Sequence, residues 1–183
     1  MKTEFENDIQ KVVYSQKKIA AMVERLGKEI SRDYAGKNPL LVSIMKGSTL
    51  FTADLMRSLT INCELDFMVV SSYAGTQSTG QLNMILDLRT DIAGRDVIIV
   101  EDIIDSGLTL SCLKKLLEER SPRSVKICTL LDKPTGRKVE LTGDYIGGTV
   151  GNEFIVGYGL DYDEKYRNLS YIGVLKESVY SHK

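Results

Sequence analysis

Histidine is almost absent from this 183-residue chain: the one copy, His182, stands next to last. A frayed terminus is a poor place to hold a catalytic base, so neither a Ser-His-Asp triad nor a Cys-His pair can be built. Cysteine is scarce too. Cys63, Cys112 and Cys128 are odd in number, widely spaced and set among apolar neighbours, which argues for reduced core thiols rather than disulfides or a zinc site. With only three prolines, 43% hydrophobic residues and no visible linker or repeat, one domain over residues 1–183 with a substantial core is expected. Neither sign of charge dominates, since 24 basic residues face 25 acidic ones; nothing therefore suggests a nucleic-acid groove or an anionic membrane surface as partner. No apolar run approaches the roughly 20 residues of a membrane span, and the acidic start Met-Lys-Thr-Glu-Phe-Glu lacks the apolar segment of a signal peptide. A cytoplasmic protein is expected.

What the chain does have is concentrated between residues 97 and 110. Val97 to Val100 form an aliphatic tetrad without polar alternation, as suits a strand buried on both faces of a parallel sheet. Glu101 and Asp102 follow, where open α/β sheets bind ligands at the carboxyl ends of their strands, and Leu110 to Arg120 resumes a helical apolar period. Ser106, Gly107 and Thr109 fall at the start of that helix, where free backbone N–H groups, hydroxyl donors and the helix dipole favour an anion. Asp105 and Ser106 could instead serve only as a cap over a solvated loop. Against that, Glu101, Asp102 and Asp105 repel one another within five positions, a cost better understood if a divalent cation or a polyhydroxyl ligand lies among them.

The stretch Glu-Asp-Ile-Ile-Asp-Ser-Gly-Leu-Thr, residues 101–109, closely resembles the phosphoribosyl pyrophosphate (PRPP) signature of type I phosphoribosyltransferases, and among them of the hypoxanthine-guanine phosphoribosyltransferase family. The resemblance implies that Glu101 and Asp102 hold the ribose hydroxyls and approach Mg²⁺. It implies that Asp105 is the general base at the purine imidazole edge, and that Asp105, Ser106, Gly107, Leu108 and Thr109 seat the 5′-phosphate. Chemically, a strand end aiming carboxylates at a sugar and a helix start holding its phosphate fix both ends of one ribose 5-phosphate.

Other segments agree. Leu40 to Met45, the Lys46-Gly47-Ser48 turn and a helix from Thr49 to Leu59 make a second strand-turn-helix unit. The order Lys-Gly, without the glycine a P-loop needs, rules out that motif; by resemblance Lys46 and Gly47 bind pyrophosphate, and a cis peptide is expected at Met45-Lys46. After Leu65 to Val70, the polar run Ser71 to Gly80 is longer than a usual hairpin turn and reads as a lid. The family's lid has a Ser-Tyr pair, matched here by Ser72 and Tyr73. Val125 to Leu131 reads as a strand leading to Lys133, whose ammonium, by resemblance, meets the exocyclic oxygen of a 6-oxopurine and disfavours adenine. Within Glu153 to Tyr162 and on to Arg167, the resemblance gives Phe154 as the stacking platform and the Ile155 backbone as a purine contact. It gives Asp161 as a site of approach for a second Mg²⁺, close to the purine, and Arg167 as a pyrophosphate contact.

An amphipathic helix around Ser15 to Tyr34, with Ile19, Met22, Val23, Leu26 and Ile30 inward, opens the alternation of strands and helices. The expected architecture is α/β, a mainly parallel central sheet flanked by helices with a small hood from the chain ends. The implied reaction uses PRPP, hypoxanthine and guanine as small-molecule substrates, in a homodimer or homotetramer. Two other readings exist: an RNA-binding regulator on the same fold, which would need a basic face, and a receiver-like signalling domain, which leaves the turn after Asp105 and the Ser-Tyr pair unexplained.

Overall fold

The computed structural model describes Phe5, residues 7–72 and residues 82–181, without the side chains of residues 71, 72 and 82. The Ser-Tyr pair and His182 therefore lie outside the described side chains; of Ser72 only the backbone is described, closing a strand.

Nine strands and four α-helices follow one another as β1 (Ile9–Tyr14), α1 (Gln16–Asp33), β2 (Leu40–Ile44), α2 (Thr49–Ser58), β3 (Glu64–Ser72), β4 (Leu82–Leu86), β5 (Asp96–Ile104), α3 (Leu108–Glu118), β6 (Ser124–Asp132), β7 (Tyr145–Thr149), β8 (Ile155–Val156), β9 (Ile172–Leu175) and α4 (Glu177–Tyr180) among the described residues. Six strands form the main sheet in the order β4-β3-β2-β5-β6-β7, and the chain ends build a small antiparallel sheet, β1-β9-β8. Every pairing in the main sheet is parallel except β3 with the edge strand β4.

Strand pleating sorts the apolar residues onto two faces. Leu41, Ile98, Val100, Cys128 and Leu130 pack against Ile19, Val23, Leu26 and Ile30 of α1 and Phe51 and Leu55 of α2. Leu40, Val42, Val97, Ile99 and Ile127 point the other way, onto Leu110, Leu113 and Leu117 of α3. Each such aliphatic side chain, once fully buried, contributes about 1.5–3 kcal/mol. Helix α1 begins where Ser15 accepts a hydrogen bond from the Lys18 N–H and ends with Tyr34 as its cap, as its sequence pattern suggested.

Three expectations shift. Strand β5 does not stop at Val100: Glu101, Ile103 and Ile104 continue to pair with Thr129, Leu131 and Asp132 of β6, so the acids are borne by the strand itself. Helix α3 starts at Leu108 rather than Leu110, because Gly107 adopts φ 76° and serves as its cap. Of the thiols, all free, only Cys128 is core, whereas Cys63 and Cys112 are half-buried, as is Met22 on α1.

Strand order carries a functional consequence. From β2 the chain moves outward to β3 and β4, then returns across β2 to place β5 on its other side. Between the carboxyl ends of β2 and β5 the connections leave in opposite directions, which opens a crevice at the topological switch point.

Candidate active site

The turn after β2 forms one wall of the crevice. The Met45–Lys46 peptide bond is cis. Beneath the turn lies a buried hydroxyl chain, in which Thr52 donates to Ser43 Oγ at 2.9 Å, Ser43 and Ser48 share a hydrogen bond of 2.8 Å, and Ser48 Oγ donates to the Ile44 carbonyl at 2.6 Å. Those polar groups are satisfied without solvent, so they fix the turn rather than weaken it. Gly47 is required by close packing: a Cβ there would lie 1.6 Å from Asp102 Oδ2. On its other side, a Cβ on Gly159, which has φ 102°, would lie 2.0 Å from the Gly47 carbonyl. The hood thus rests directly on the Lys46-Gly47 turn.

The second wall is the end of β5 and the start of α3. Asp102 Oδ1 accepts from the Ile103 N–H at 2.7 Å. Burial and the neighbouring Asp102 charge push the Glu101 carboxyl well above its ordinary range. Burial likewise pushes Asp102 up to about 6, although the Ile103 N–H and the Arg167 charge pull it down. Two acids held in this state are poised for a cation or hydroxyl groups that would repay their desolvation. Ser106 Oγ accepts from the Leu108 N–H at 3.4 Å, and Gly107, Thr109 and Leu110 bring the start of α3 to the crevice.

The third element of the crevice is the segment after β6. Arg137 donates to the carbonyls of Asp105 at 3.1 Å and Ile104 at 3.2 Å, and also reaches the Leu141 carbonyl and the Asp132 carboxylate. Lys133 donates from its backbone to the Ile104 carbonyl at 3.0 Å and Lys138 to that of Ser106 at 2.9 Å. The acidic turn is therefore stapled by its neighbour, and Gly136 comes so near that a Cβ would sit 1.7 Å from Asp105 Oδ1. Across this junction the Lys133 ammonium lies 3.3 Å from Asp105 Oδ2.

Lys46, Gly47, Glu101, Asp102, Asp105, Ser106, Gly107, Thr109, Asp161 and Arg167 all line one open cavity of about 460 Å³. Leu108 does not line it and points to solvent, 41% exposed. Lys133 joins the cavity only through its ion pair with Asp105. Ile155 is buried, while Phe154 stands 38% exposed, stacked on Tyr180 at 5.0 Å and in T-shaped contact with Tyr162 at 5.6 Å. Arg167 bonds Asp161 at 2.9 Å and the Gly159 carbonyl at 2.8 Å; its Nε is buried without a hydrogen-bond partner.

The cavity thus brings carboxylates, a helix start and the cations Lys46 and Arg167 together. Residues 10–163 match the family described as the phosphoribosyl transferase domain. The chain belongs to the phosphoribosyltransferase family. Its architecture, a mostly parallel sheet flanked by helices with a terminal hood, is the type I phosphoribosyltransferase fold. The chain is 56% identical to the hypoxanthine-guanine phosphoribosyltransferase of Streptococcus pneumoniae over 96% of its length and 98% of the relative's. It is 53% identical, with the same coverage, to that of Streptococcus thermophilus. The crystal structure of a hypoxanthine phosphoribosyltransferase from Staphylococcus aureus superposes with a TM-score of 0.95 at 44% identity, covering 98% of each chain.

Phosphoribosyltransferase chemistry calls for a metal, and the donor set can be tested for it. Among the described residues no group of three or more His, Cys, Asp or Glu side chains forms a metal cage. Glu101, Asp102 and Asp161 nonetheless face the same cavity. This fits Mg²⁺, which uses one or two carboxylates and takes its other ligands from substrate phosphates and water. No helix among the described residues is long and apolar enough to cross a membrane.

Proposed function

We propose that this chain transfers the 5-phosphoribosyl group of PRPP to N9 of hypoxanthine or guanine, giving IMP or GMP and pyrophosphate in purine salvage. The observation that carries the reading is one cavity at the β2/β5 switch point, lined by carboxylates, the start of α3 and the Lys46-Gly47 turn. The relatives' names agree with it.

Glu101 and Asp102 hold the ribose hydroxyls, and their charge stabilises the cationic character that develops at the anomeric carbon as its bond to pyrophosphate breaks. The 5′-phosphate sits on the first turn of α3, against Ser106, Gly107 and Thr109. Lys46, the amides of its turn and Arg167 receive the pyrophosphate. Bound Mg²⁺ would be held by Glu101 and Asp102, with Asp161 approaching a second ion, and would neutralise negative charge on the leaving group.

Asp105 takes the proton from the purine imidazole edge as the base bonds to the sugar. Lys133 beside it donates to O6, and N7 and O6 of a 6-oxopurine share one edge, so the 3.3 Å Lys133–Asp105 pair matches their spacing. Phe154 offers a ring face to the base and Ile155 its backbone. The same reading takes an assembly of two or four copies. Initial rates with PRPP and Mg²⁺ and each of hypoxanthine, guanine, xanthine, adenine and uracil test the proposal: it expects nucleotide from hypoxanthine and guanine and none from adenine or uracil. Failure with both hypoxanthine and guanine would refute it.

A further inference from the structure

We propose that Glu164 is a built-in stand-in for pyrophosphate, a carboxylate that bridges the two pyrophosphate-binding cations in the free enzyme and must be displaced when the diphosphate binds. The proposal rests on the assignment of the Lys46 and Arg167 end of the cavity to pyrophosphate. Glu164 Oε1 lies 3.1 Å from Lys46 Nζ and Oε2 lies 3.3 Å from Arg167 Nη2. One carboxylate therefore spans cations from two distant parts of the chain, an oxygen to each, as adjacent oxygens of a phosphate group could.

The backbone presents Glu164 for this contact. Tyr162 and Lys165 exchange backbone hydrogen bonds at 3.2 and 3.0 Å, and between them Asp163 and Glu164 both have positive φ, 54° and 63°. Two such residues in succession have the φ signs of a type I′ turn, which usually takes asparagine and glycine because other side chains resist it. Asp161 Oδ2 accepts from the Glu164 N–H at 3.0 Å and pins the turn beside the cavity. Arg167 would keep its aim after Glu164 left, because Asp161 and the Gly159 carbonyl hold it independently.

Displacement is easy by design of the contact. The Lys46 and Glu164 side chains are 63% and 64% exposed, and ion pairs in such surroundings are weak. A multiply charged diphosphate offers more acceptors to the same cations. The consequence is a softened grip: Glu164 competes with pyrophosphate on entry and re-forms its bridge on release, so it lowers affinity for PRPP and for the product together.

Glu164→Gln keeps the shape and removes the charge. Calorimetric titration of wild type and E164Q with magnesium pyrophosphate should show tighter binding in the variant, by about two- to fivefold, the range an exposed ion pair supports. The KM for PRPP should fall in parallel while that for guanine holds, and the gain should shrink in high salt. In a Lys46→Met background the gain from E164Q should also shrink, because one of the two bridged cations is gone. Unchanged or weaker pyrophosphate binding in E164Q would overturn the proposal, as would a gain undiminished by K46M, which would mean a diffuse charge effect. Tighter pyrophosphate binding in E164Q with no phosphoribosyl transfer by wild type would sink the proposed reaction and leave the stand-in. Binding to neither protein would sink both.

Discussion

Gly47→Ala should disable the PRPP site through a single methyl group. An ideal Cβ at this position lies 1.6 Å from Asp102 Oδ2 and 2.6 Å from its Cγ, so the carboxylate would have to retreat by about 2 Å to restore normal contact. Retreat has a cost on each side. The Asp102 side chain is tied to the Ile103 N–H at 2.7 Å, and the Lys46-Gly47 turn cannot back away because Gly159 packs on its carbonyl, with room for no Cβ. Overpacking of this kind costs about 1–3 kcal/mol, which for a chain of this size lowers Tm by about 2–4 °C per kcal/mol. Activity should suffer more, since displacement of a catalytic group by about 1 Å can cost about 10²-fold. Steady-state kinetics with PRPP varied, alongside thermal unfolding, would measure both. G47A with wild-type kcat/KM for PRPP would refute the argument that this glycine exists to admit the Asp102 carboxylate.

Two further outcomes follow from the electrostatics. Asp102 is raised to about 6 chiefly by burial, so in the free protein it contributes stability at low pH that is lost as pH rises through about 6. Unfolding of the unliganded wild type should therefore gain stability between pH 7 and pH 5 relative to Asp102→Asn, while PRPP affinity weakens over the same fall because binding needs the carboxylate; parallel pH profiles for the two proteins would contradict this. Lys133→Met removes the ammonium 3.3 Å from Asp105. Loss of a charged hydrogen bond of about 1.5–3 kcal/mol should lower kcat/KM for hypoxanthine by about 10- to 100-fold, with PRPP binding in equilibrium dialysis unchanged. Equal losses for both substrates would deny Lys133 its place at O6.

Legibility in the sequence followed the range of the interactions. Val97 to Val100 could be read because burial on both sheet faces leaves an unbroken apolar run, and the Ile19–Ile30 stripe because one buried helix face imposes a local period. The end of β5 could not, since Glu101 and Ile103 look like a loop's beginning until their pairing with Thr129 and Leu131 is seen. Arg137 reads as an ordinary turn charge, and only the folded chain brings it to the carbonyls of Ile104 and Asp105. Glu164 was equally silent: its contact with Lys46 spans 118 positions. The hood and the roles proposed for Phe154, Ile155 and Arg167 came from family resemblance, because a two-residue strand such as β8 carries no period at all.

The central claim is that one cavity binds PRPP and that Asp105 in its lining handles the purine proton. It is tested most directly by measuring kcat with hypoxanthine and Kd for PRPP side by side on wild type and Asp105→Asn. Turnover by wild type and a loss of about 10²–10⁴-fold in the variant, the range of a general base, are expected, with PRPP Kd changed far less. Equal turnover by the two proteins, or a wild type that binds PRPP and forms no nucleotide, would contradict it.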